Sequence, residues 1–270
     1  IHMPAFSQPF RFDNFDITRE GGGVEIAMDS TSGMNGIDLA FVDEFKEIGI
    51  ALQQDESVRC VTLTGNDDAF SVGADLGQLD GESSDSASMR RLAGTLHEGI
   101  KSFLRMQTPL VTAVGGVAAG AGFSLSLLGD IVLVSEDARF EFAYPRIGLP
   151  ADGGSTFLLP RLVGLRKARE IVLLDEPISP TEALHLGLAT EIVASEKFEE
   201  RRRNLAQDLA DGPTKAYGMT RQLLFDSFGR ELEGQLAAET DAMASATETE
   251  DYQQGYKAFF GDGDPKFEGR

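Results

Sequence analysis

Apolar and polar positions along the first two thirds of the chain repeat with two alternating periods. VEIAM (24–28) and VRCVTLT (58–64) have the length and β-branched content of buried strands. Between them, Leu39, Val42, Phe45, Ile48 and Leu52 return every three or four positions, the spacing of a helix with one apolar face, and Asp38 stands where it would cap that helix. The unit recurs, with LVTAV (110–114) as a strand, 120–128 as a helix and DIVLVS (130–135) as the next strand. Ser179 and Pro180 then mark the first turn of a helix that leads into a short strand, LATEIV (188–193). Strands alternating with helices predict an α/β core.

After residue 195 the pattern changes. EKFEERRRNLAQDLADG, the stretch 214–228 and ELEGQLAAETDAMASA are nearly continuous helix formers without a strand. The expected division is therefore a core over 1–195 and a helical region over 196–270. DGESSDSASM (80–89) is polar and rich in turn formers, and predicts a mobile loop.

Composition narrows the function classes. With 270 residues, 41% of them hydrophobic and 25% charged, the chain can bury one large domain, or one with an appendage. No apolar run is long enough to span a bilayer, and no basic segment followed by an apolar stretch opens the chain, so a cytoplasmic protein without membrane contact is expected. The single cysteine, Cys60, excludes an internal disulfide and, lying in a strand, is expected in the core. The three histidines, at 2, 97 and 185, make no metal-ligand spacing, so no metal site is expected. A net charge of −20 argues against nucleic acid as a partner. The acids are spread along the chain, as on the uniformly acidic surfaces suited to a salt-rich cytoplasm, with an ordinary acidic protein as the alternative.

Several motifs fail on their own terms. Gly115 and Gly120 have the outer spacing of a P-loop, but Ala121 and Gly122 stand where Lys and Ser/Thr are required. No GxGxxG follows a strand. Gly122-Phe-Ser124-Leu-Ser126 lacks the second glycine of a nucleophile elbow, and only His97 and His185 could serve such a serine. What remains is small residues that bring backbone close to a ligand. Gly120-Ala121-Gly122 opens a helix and leaves N–H groups without internal acceptors. AFSVGAD (69–75) follows the strand at 58–64 and would offer the Ala74 N–H from the other side. Each segment alone is equally well read as glycines serving turns and close packing.

Taken in order, AFSVGADL (69–76), TPLVTAVGGVAAGAG (108–122), DIVLVSEDARF (130–140), IGLPADGGSTFLLPRLVG (147–164) and SPTEALHLGLATEIV (179–193) resemble the crotonase superfamily, the enoyl-CoA hydratases and isomerases. The resemblance implies a spiral of repeated ββα units with a C-terminal helical trimerisation region, assembled as a homotrimer or a dimer of trimers. It implies an acyl-CoA thioester substrate, with coenzyme A part of that substrate and no separate cofactor. It implies an oxyanion hole of two backbone N–H groups, at Ala74 and Ala121, which would stabilise an enolate. Gly73, Asp75, Leu76 and Gly120 fall on the CoA-binding side of the motifs. Phe259, within GYKAFFGDGDPKF (255–267), matches the aromatic that covers a neighbouring subunit's acyl pocket, while the usual cation for the CoA phosphates is replaced by Gly-Asp-Gly.

Hydratases of this superfamily carry two glutamates. The matching positions here are Ser124 and Tyr144, which leaves these two as residues lining the acyl pocket. Glu141 lies nearby but, flanked by Phe140 and Phe142, is expected to point the other way as a solvated strand-edge residue. Arg146 is expected either near a CoA phosphate or in solvent. The remaining acid is Asp152, in the context that most resembles the ring-opening isomerases of phenylacetyl-CoA breakdown and double-bond isomerases. One carboxylate can move a proton between two carbons on the same face. An apolar surround of Leu149, Phe157 and Leu158 is expected to raise its pKa; the alternative is a helix cap. The expected activity is isomerisation with Asp152 as acid/base. The rivals are enoyl-CoA hydration and a catalytically silent CoA-ester-binding member.

Overall fold

The structure, a computed structural model, describes residues 12–30, 34–66, 69–75, 77, 86–261 and 263–270. Its first strand, β1 (Phe15–Glu20), forms an antiparallel hairpin with β2 (Gly23–Met28), which β3 (Gly36–Ile37) and α1 (Leu39–Gln54) follow. The second repeat is β4 (Cys60–Thr64), the short β5 (Ala69–Ser71) and β6 (Gly73–Ala74), and α2 (Ser86–Arg105). The third is β7 (Leu110–Val114), β8 (Val117–Ala119) and α3 (Ala121–Ser126). The fourth is β9 (Ile131–Ser135), β10 (Arg139–Glu141), a 3-10 turn at Tyr144–Ile147, α4 (Ser155–Leu174) and α5 (Pro180–Leu186), before β11 (Glu191–Val193).

The six-stranded sheet runs β1-β2-β4-β7-β9-β11, parallel from β2 onward, and β5-β8-β10 form a second parallel sheet. The second to fourth repeats thus advance one place in both sheets at once, while β3 of the first pairs in parallel with β6, and this is the ββα spiral that the sequence motifs imply. Every residue of β4 and β7 is buried, as parallel strands covered on both faces must be. Phe41, Phe45, Phe70, Phe103 and Phe123 lie in the main core. The opposite face packs Cys60, Val111, Ala113 and Leu133 against Leu205 and Ala210 of α6 (Phe198–Ala210). Cys60 is fully buried, and that burial, with Asp130 adding to it, pushes its thiol up to about 12.

Local signals placed the helix starts well. Asp38 accepts from Phe41 N at 2.8 Å, and Ser179 accepts from Glu182 N at 3.2 Å. Strand edges differ more. β9 begins after Asp130, and β11 is shorter than 188–193 because Leu188 N and Ala189 N both bond to Ala183 O at the end of α5. Strands β5, β6, β8 and β10 have two or three residues each, too short to show a period. Helix α2 is an addition to the sequence reading. Residues 86–89 of the polar segment belong to it, and 80–85 lie outside the described residues.

Beyond 195 the described residues form α6, α7 (Thr214–Asp226), α8 (Leu232–Thr247) and α9 (Glu250–Phe260), with short 3-10 turns and no strand. Arg59, just before β4, donates to Gly212 O and Phe267 O at 2.6 and 2.9 Å and so pins this region to the start of that central strand. Helix α8 has no buried residue, and α9 buries only Asp251, which accepts from Glu268 N and Gly269 N. No described helix is long and apolar enough to cross a membrane.

Candidate active site around Asp152

The turn that carries Asp152 owes its shape to the glycines behind it. Gly153 and Gly154 have φ of 61° and 77°, a region that disfavours side chains, and a Cβ on Gly153 would come within 2.6 Å of Ser124 Cβ. The turn therefore lies directly on α3. Asp152 O accepts from Ser124 Oγ at 3.0 Å, Ser155 Oγ at 2.8 Å and Ser155 N at 3.1 Å. The N-cap of α4 is Gly154, without a side-chain hydrogen bond. The Asp152 carboxylate is thus not a helix cap.

That carboxylate has two distinct oxygens. Oδ1 accepts from the Tyr144 hydroxyl at 2.7 Å, and Oδ2 lies 3.6 Å from His97 Nε2, with the side chain 31% exposed. Tyr144 is turned inward because Ala143 adopts φ 61°, held by its N–H to Asp175 Oδ1 at 2.8 Å. The buried phenol packs on Phe142 and stands 3.0 Å from Ser124 Oγ. Its one proton goes to Asp152 Oδ1, and the single Ser124 proton is shared between Asp152 O and the phenol oxygen. Burial first, and the Asp152 charge second, push the Tyr144 phenol far above its ordinary value, so it stays a neutral donor. Positions 124 and 144, where two glutamates would stand in a hydratase, hold a hydroxyl pair that meets Asp152.

The direction of the Asp152 shift reverses the expectation. Burial pushes its pKa up, but the hydrogen bonds from His97 and Tyr144 and the His97 charge together outweigh it, and the carboxyl lies below its usual value. The expected apolar surround is only partly present. Leu149 and Leu158 pack on the main core, whereas Phe157 is exposed, against Phe225 and with Arg161 3.5 Å above its ring. Phe157 lines a groove of about 460 Å³ with Leu104, Leu128, Leu224 and Phe228.

His97 is the residue that sequence reasoning weighed only for a serine hydrolase. Its helix buries Leu92, Leu96, Ile100 and Phe103, and Gly99 lets Phe45 of α1 come so close that a Cβ there would lie 2.6 Å from the ring. His97 is at the margin of that buried face, half-exposed, and its Nε2 accepts the Gly153 N–H at 3.2 Å. The spacing of Leu92, Leu96, Ile100 and Phe103 could have placed residue 97 on that margin. Nothing local could have named Asp152 as its neighbour.

The two proposed backbone donors also come together. Asp75 N donates to Ile37 O at 3.0 Å, so by strand alternation the Ala74 N–H points away from β3. Ala121 opens α3, where the first N–H groups lack intrahelical acceptors, behind Gly120 with φ 53°. A side chain at Gly73 would come 3.0 Å from Ala121 N, which puts the two peptides side by side. Gly120 N donates to Glu141 O, and Asp75 Oδ1 accepts from Gly77 N at 3.1 Å. Leu76 lies outside the described residues.

Other candidates go elsewhere. Phe259 is 83% exposed on α9 beside Tyr252, Tyr256 and Phe267, and a single chain does not bring it to Asp152. Glu141 does point away from Phe140 and Phe142, but it is paired rather than solvated: its side chain, 15% exposed, meets Arg139 at 2.7 Å and Arg146. Arg146 is held in turn by Asp175 at 2.6 Å, so it is neither free in solvent nor free for a phosphate. Among the described residues no three His, Cys, Asp or Glu stand together as a metal site would require.

The enoyl-CoA hydratase/isomerase family profile matches residues 18–270. The chain is 30% identical to the 1,2-epoxyphenylacetyl-CoA isomerase of Escherichia coli K12 over 93% of its own length and 97% of that protein. Among solved structures, an enoyl-CoA hydratase/isomerase from Cupriavidus metallidurans is 31% identical and superimposes with a TM-score of 0.87, over 96% of this chain and 97% of that one. An enoyl-CoA hydratase from Bacillus anthracis is 25% identical with a TM-score of 0.89, over 95% and 100% of the two chains.

Proposed function

The chain belongs to the enoyl-CoA hydratase/isomerase family, and from that premise we propose that it is an acyl-CoA isomerase in which Asp152 moves a proton between two carbons of the acyl chain. The observation that carries this reading is the asymmetry of the carboxylate. Oδ1 is held by Tyr144 at 2.7 Å, while Oδ2 has only His97, 3.6 Å away. Hydroxyls, not carboxylates, occupy the two neighbouring positions, so one acid has to both take and return the proton. The isomerase name of the Escherichia coli relative supports the same choice.

In the mechanism, the thioester oxygen accepts from Ala74 N–H and Ala121 N–H. Aligned peptide dipoles stabilise the enolate formed as a carbon loses its proton, and loss of one such donor costs about 3 kcal/mol of barrier. Asp152 Oδ2 takes the proton. A carboxyl with a lowered pKa is a weaker base, but it is fully ionised near neutral pH, and the oxyanion donors supply the acidity that the base lacks. Tyr144 keeps Oδ1 fixed, so the same Oδ2 delivers the proton to a second carbon on that face. Gly73, Asp75, Leu76 and Gly120 are assigned to the CoA side, and Ser124 and Tyr144 to the acyl pocket. Coenzyme A enters as part of the substrate.

The apolar surface supports a homo-oligomer, a trimer or dimer of trimers. Leu173 on α4, Met243 on α8 and Phe259 on α9 are 77%, 70% and 83% exposed. Such a surface on one chain marks an interface, and Phe259 is assigned to a neighbour's acyl pocket. Light scattering on the purified protein should return a multiple of three subunits.

The reaction is tested with trans-3-hexenoyl-CoA, crotonyl-CoA and an epoxide of phenylacetyl-CoA. Isomerisation of the first raises the absorbance of a conjugated thioester, and ring expansion consumes the third. Hydration of crotonyl-CoA alone would replace this reading with a hydratase, and binding of all three without turnover would replace it with a silent member.

A further inference from the structure

Two of the non-glycine residues in the left-handed region touch each other. Ala143, ahead of Tyr144, has φ 61°, and Asp175, at the C-terminal cap of α4, has φ 50°. A side chain is disfavoured there, so each conformation needs something to hold it. At Ala143 the holder is the Asp175 carboxylate, whose Oδ1 accepts the Ala143 N–H at 2.8 Å. Asp175 itself stands where glycine would fit a left-handed cap with less strain, so its side chain is explained by what it touches and not by the turn it closes. It touches Ala143 N and Arg146, whose Nε donates to Oδ2 at 2.6 Å. We propose that Asp175 is a positioning residue of the active site, which holds Ala143 left-handed and so aims the Tyr144 phenol at Asp152 Oδ1 from the far end of the helix that Asp152 precedes.

The fold delivers Asp175 to this place. Phe140 and Ile178 exchange backbone hydrogen bonds of 3.1 and 2.9 Å, which returns the chain after α4 alongside β10 and the turn that follows it. Arg146 closes the arrangement, since it pairs with Glu141 at the end of β10 as well as with Asp175. The segment between Glu141 and Arg146 is therefore clamped at both ends, with Ala143 and Tyr144 between them. Arg146 is 42% exposed, and ion pairs in such a setting add little to stability. Their effect is on direction instead.

Without its acceptor, Ala143 is free to relax to a negative φ, and that rotation carries Tyr144 away from an oxygen that it reaches at 2.7 Å. The other half of the site does not depend on it. Glu141 O accepts Gly120 N at 3.0 Å, and β10 pairs with β8, so the segment that opens α3 stays in place. Loss of Asp175 should therefore strike proton transfer and spare thioester binding. This rests on the reading of Asp152 as the base, and the test separates the two.

Asp175→Gly removes the carboxylate and suits the left-handed cap, so the urea midpoint should hold. With trans-3-hexenoyl-CoA, kcat should fall about fivefold at unchanged KM, short of the loss of about tenfold expected of Tyr144→Phe. In a Tyr144→Phe background, Asp175→Gly should change kcat by less than about twofold, because its route to Asp152 is gone. Ala143→Gly, at ease with a positive φ, should restore most of the turnover that Asp175→Gly loses. Ala143→Val, which keeps Asp175 but resists that region, should reproduce the loss. In the free protein, carboxyl-carbon NMR should find Asp152, identified by Asp152→Asn, titrating at higher pH in Asp175→Gly than in the wild type, since the Tyr144 hydrogen bond lowers its pKa. An Asp152 titration that does not move, or a full loss of kcat that persists in the Tyr144→Phe background, overturns the proposal. Turnover retained by Asp152→Asn sinks the base reading instead, and the carboxyl titration still decides what Asp175 does.

Discussion

Asp130 and Asp152 each sit in a turn beside α3, and their side chains are exposed to similar extents, 36% and 31%. Their partners make them different groups. Asp130 Oδ2 accepts the Leu110 N–H at 2.8 Å, and both its oxygens meet Arg221 Nε at 2.6 and 2.7 Å. Arg221 in turn donates to Phe103 O, Leu104 O and Met106 O, which ties α7 to the core. Asp152 meets a phenol and an imidazole instead. A carboxylate locked to a permanent cation on both oxygens is a structural anion. One that meets a phenol and an imidazole, with no permanent cation on either oxygen, can change its proton. The difference separates an acid that holds the fold from one that can do chemistry, although burial is alike.

The sharpest way to break this contrast is Asp152→Asn. Losing the base should lower kcat on trans-3-hexenoyl-CoA by on the order of 10²–10⁴-fold with unfolding stability nearly unchanged; Asp130→Asn should do the reverse. Next in size is Arg221→Met. It leaves Asp130 and three carbonyls without their donor, and since Asp130 is partly solvated the cost should be about 2–3 kcal/mol in urea unfolding. A loss equally large from Asp152→Asn would erase the distinction. Smaller again is Tyr144→Phe, which removes one charge-assisted hydrogen bond and frees Oδ1. Turnover should fall about tenfold, equivalent to about 1.4 kcal/mol, with CoA-thioester affinity unchanged.

The smallest effect is on stability against pH. The folded pKa of Asp152 is lowered, so its contribution is complete above the unfolded carboxyl value of about 3.9 and disappears as pH falls through the folded value. Asp152→Asn should flatten the stability profile in that acid window and nowhere else. A flattening at higher pH would mean that the folded carboxyl is raised.

What the sequence shows of this site divides along the same lines. The two glycine- and alanine-rich segments were legible because such runs after strands leave backbone exposed, and a Cβ at Gly73 would lie 3.0 Å from Ala121 N, so the segments that carry Ala74 and Ala121 do meet. Asp152 was legible because an acid before two glycines in apolar sequence is unusual. The short strands β5, β8 and β10 were not, since three residues carry no period. Phe157 was misplaced because a residue near Asp152 in sequence need not face it: along α4 it turns to Phe225.

By itself the sequence determined the elements with a strong period or a cap, the alternation of strand and helix, the helical character after 195, and the identity of the one acid in the glycine turn. These depend on neighbours within a few positions, where spacing and side-chain type act directly. Only the tertiary structure decided that His97 of α2 meets that acid, that Tyr144 holds one of its oxygens, and that its pKa falls instead of rising. Those follow from distances between elements far apart in the chain, and the Coulomb and hydrogen-bond energies that shift a proton depend on those distances alone.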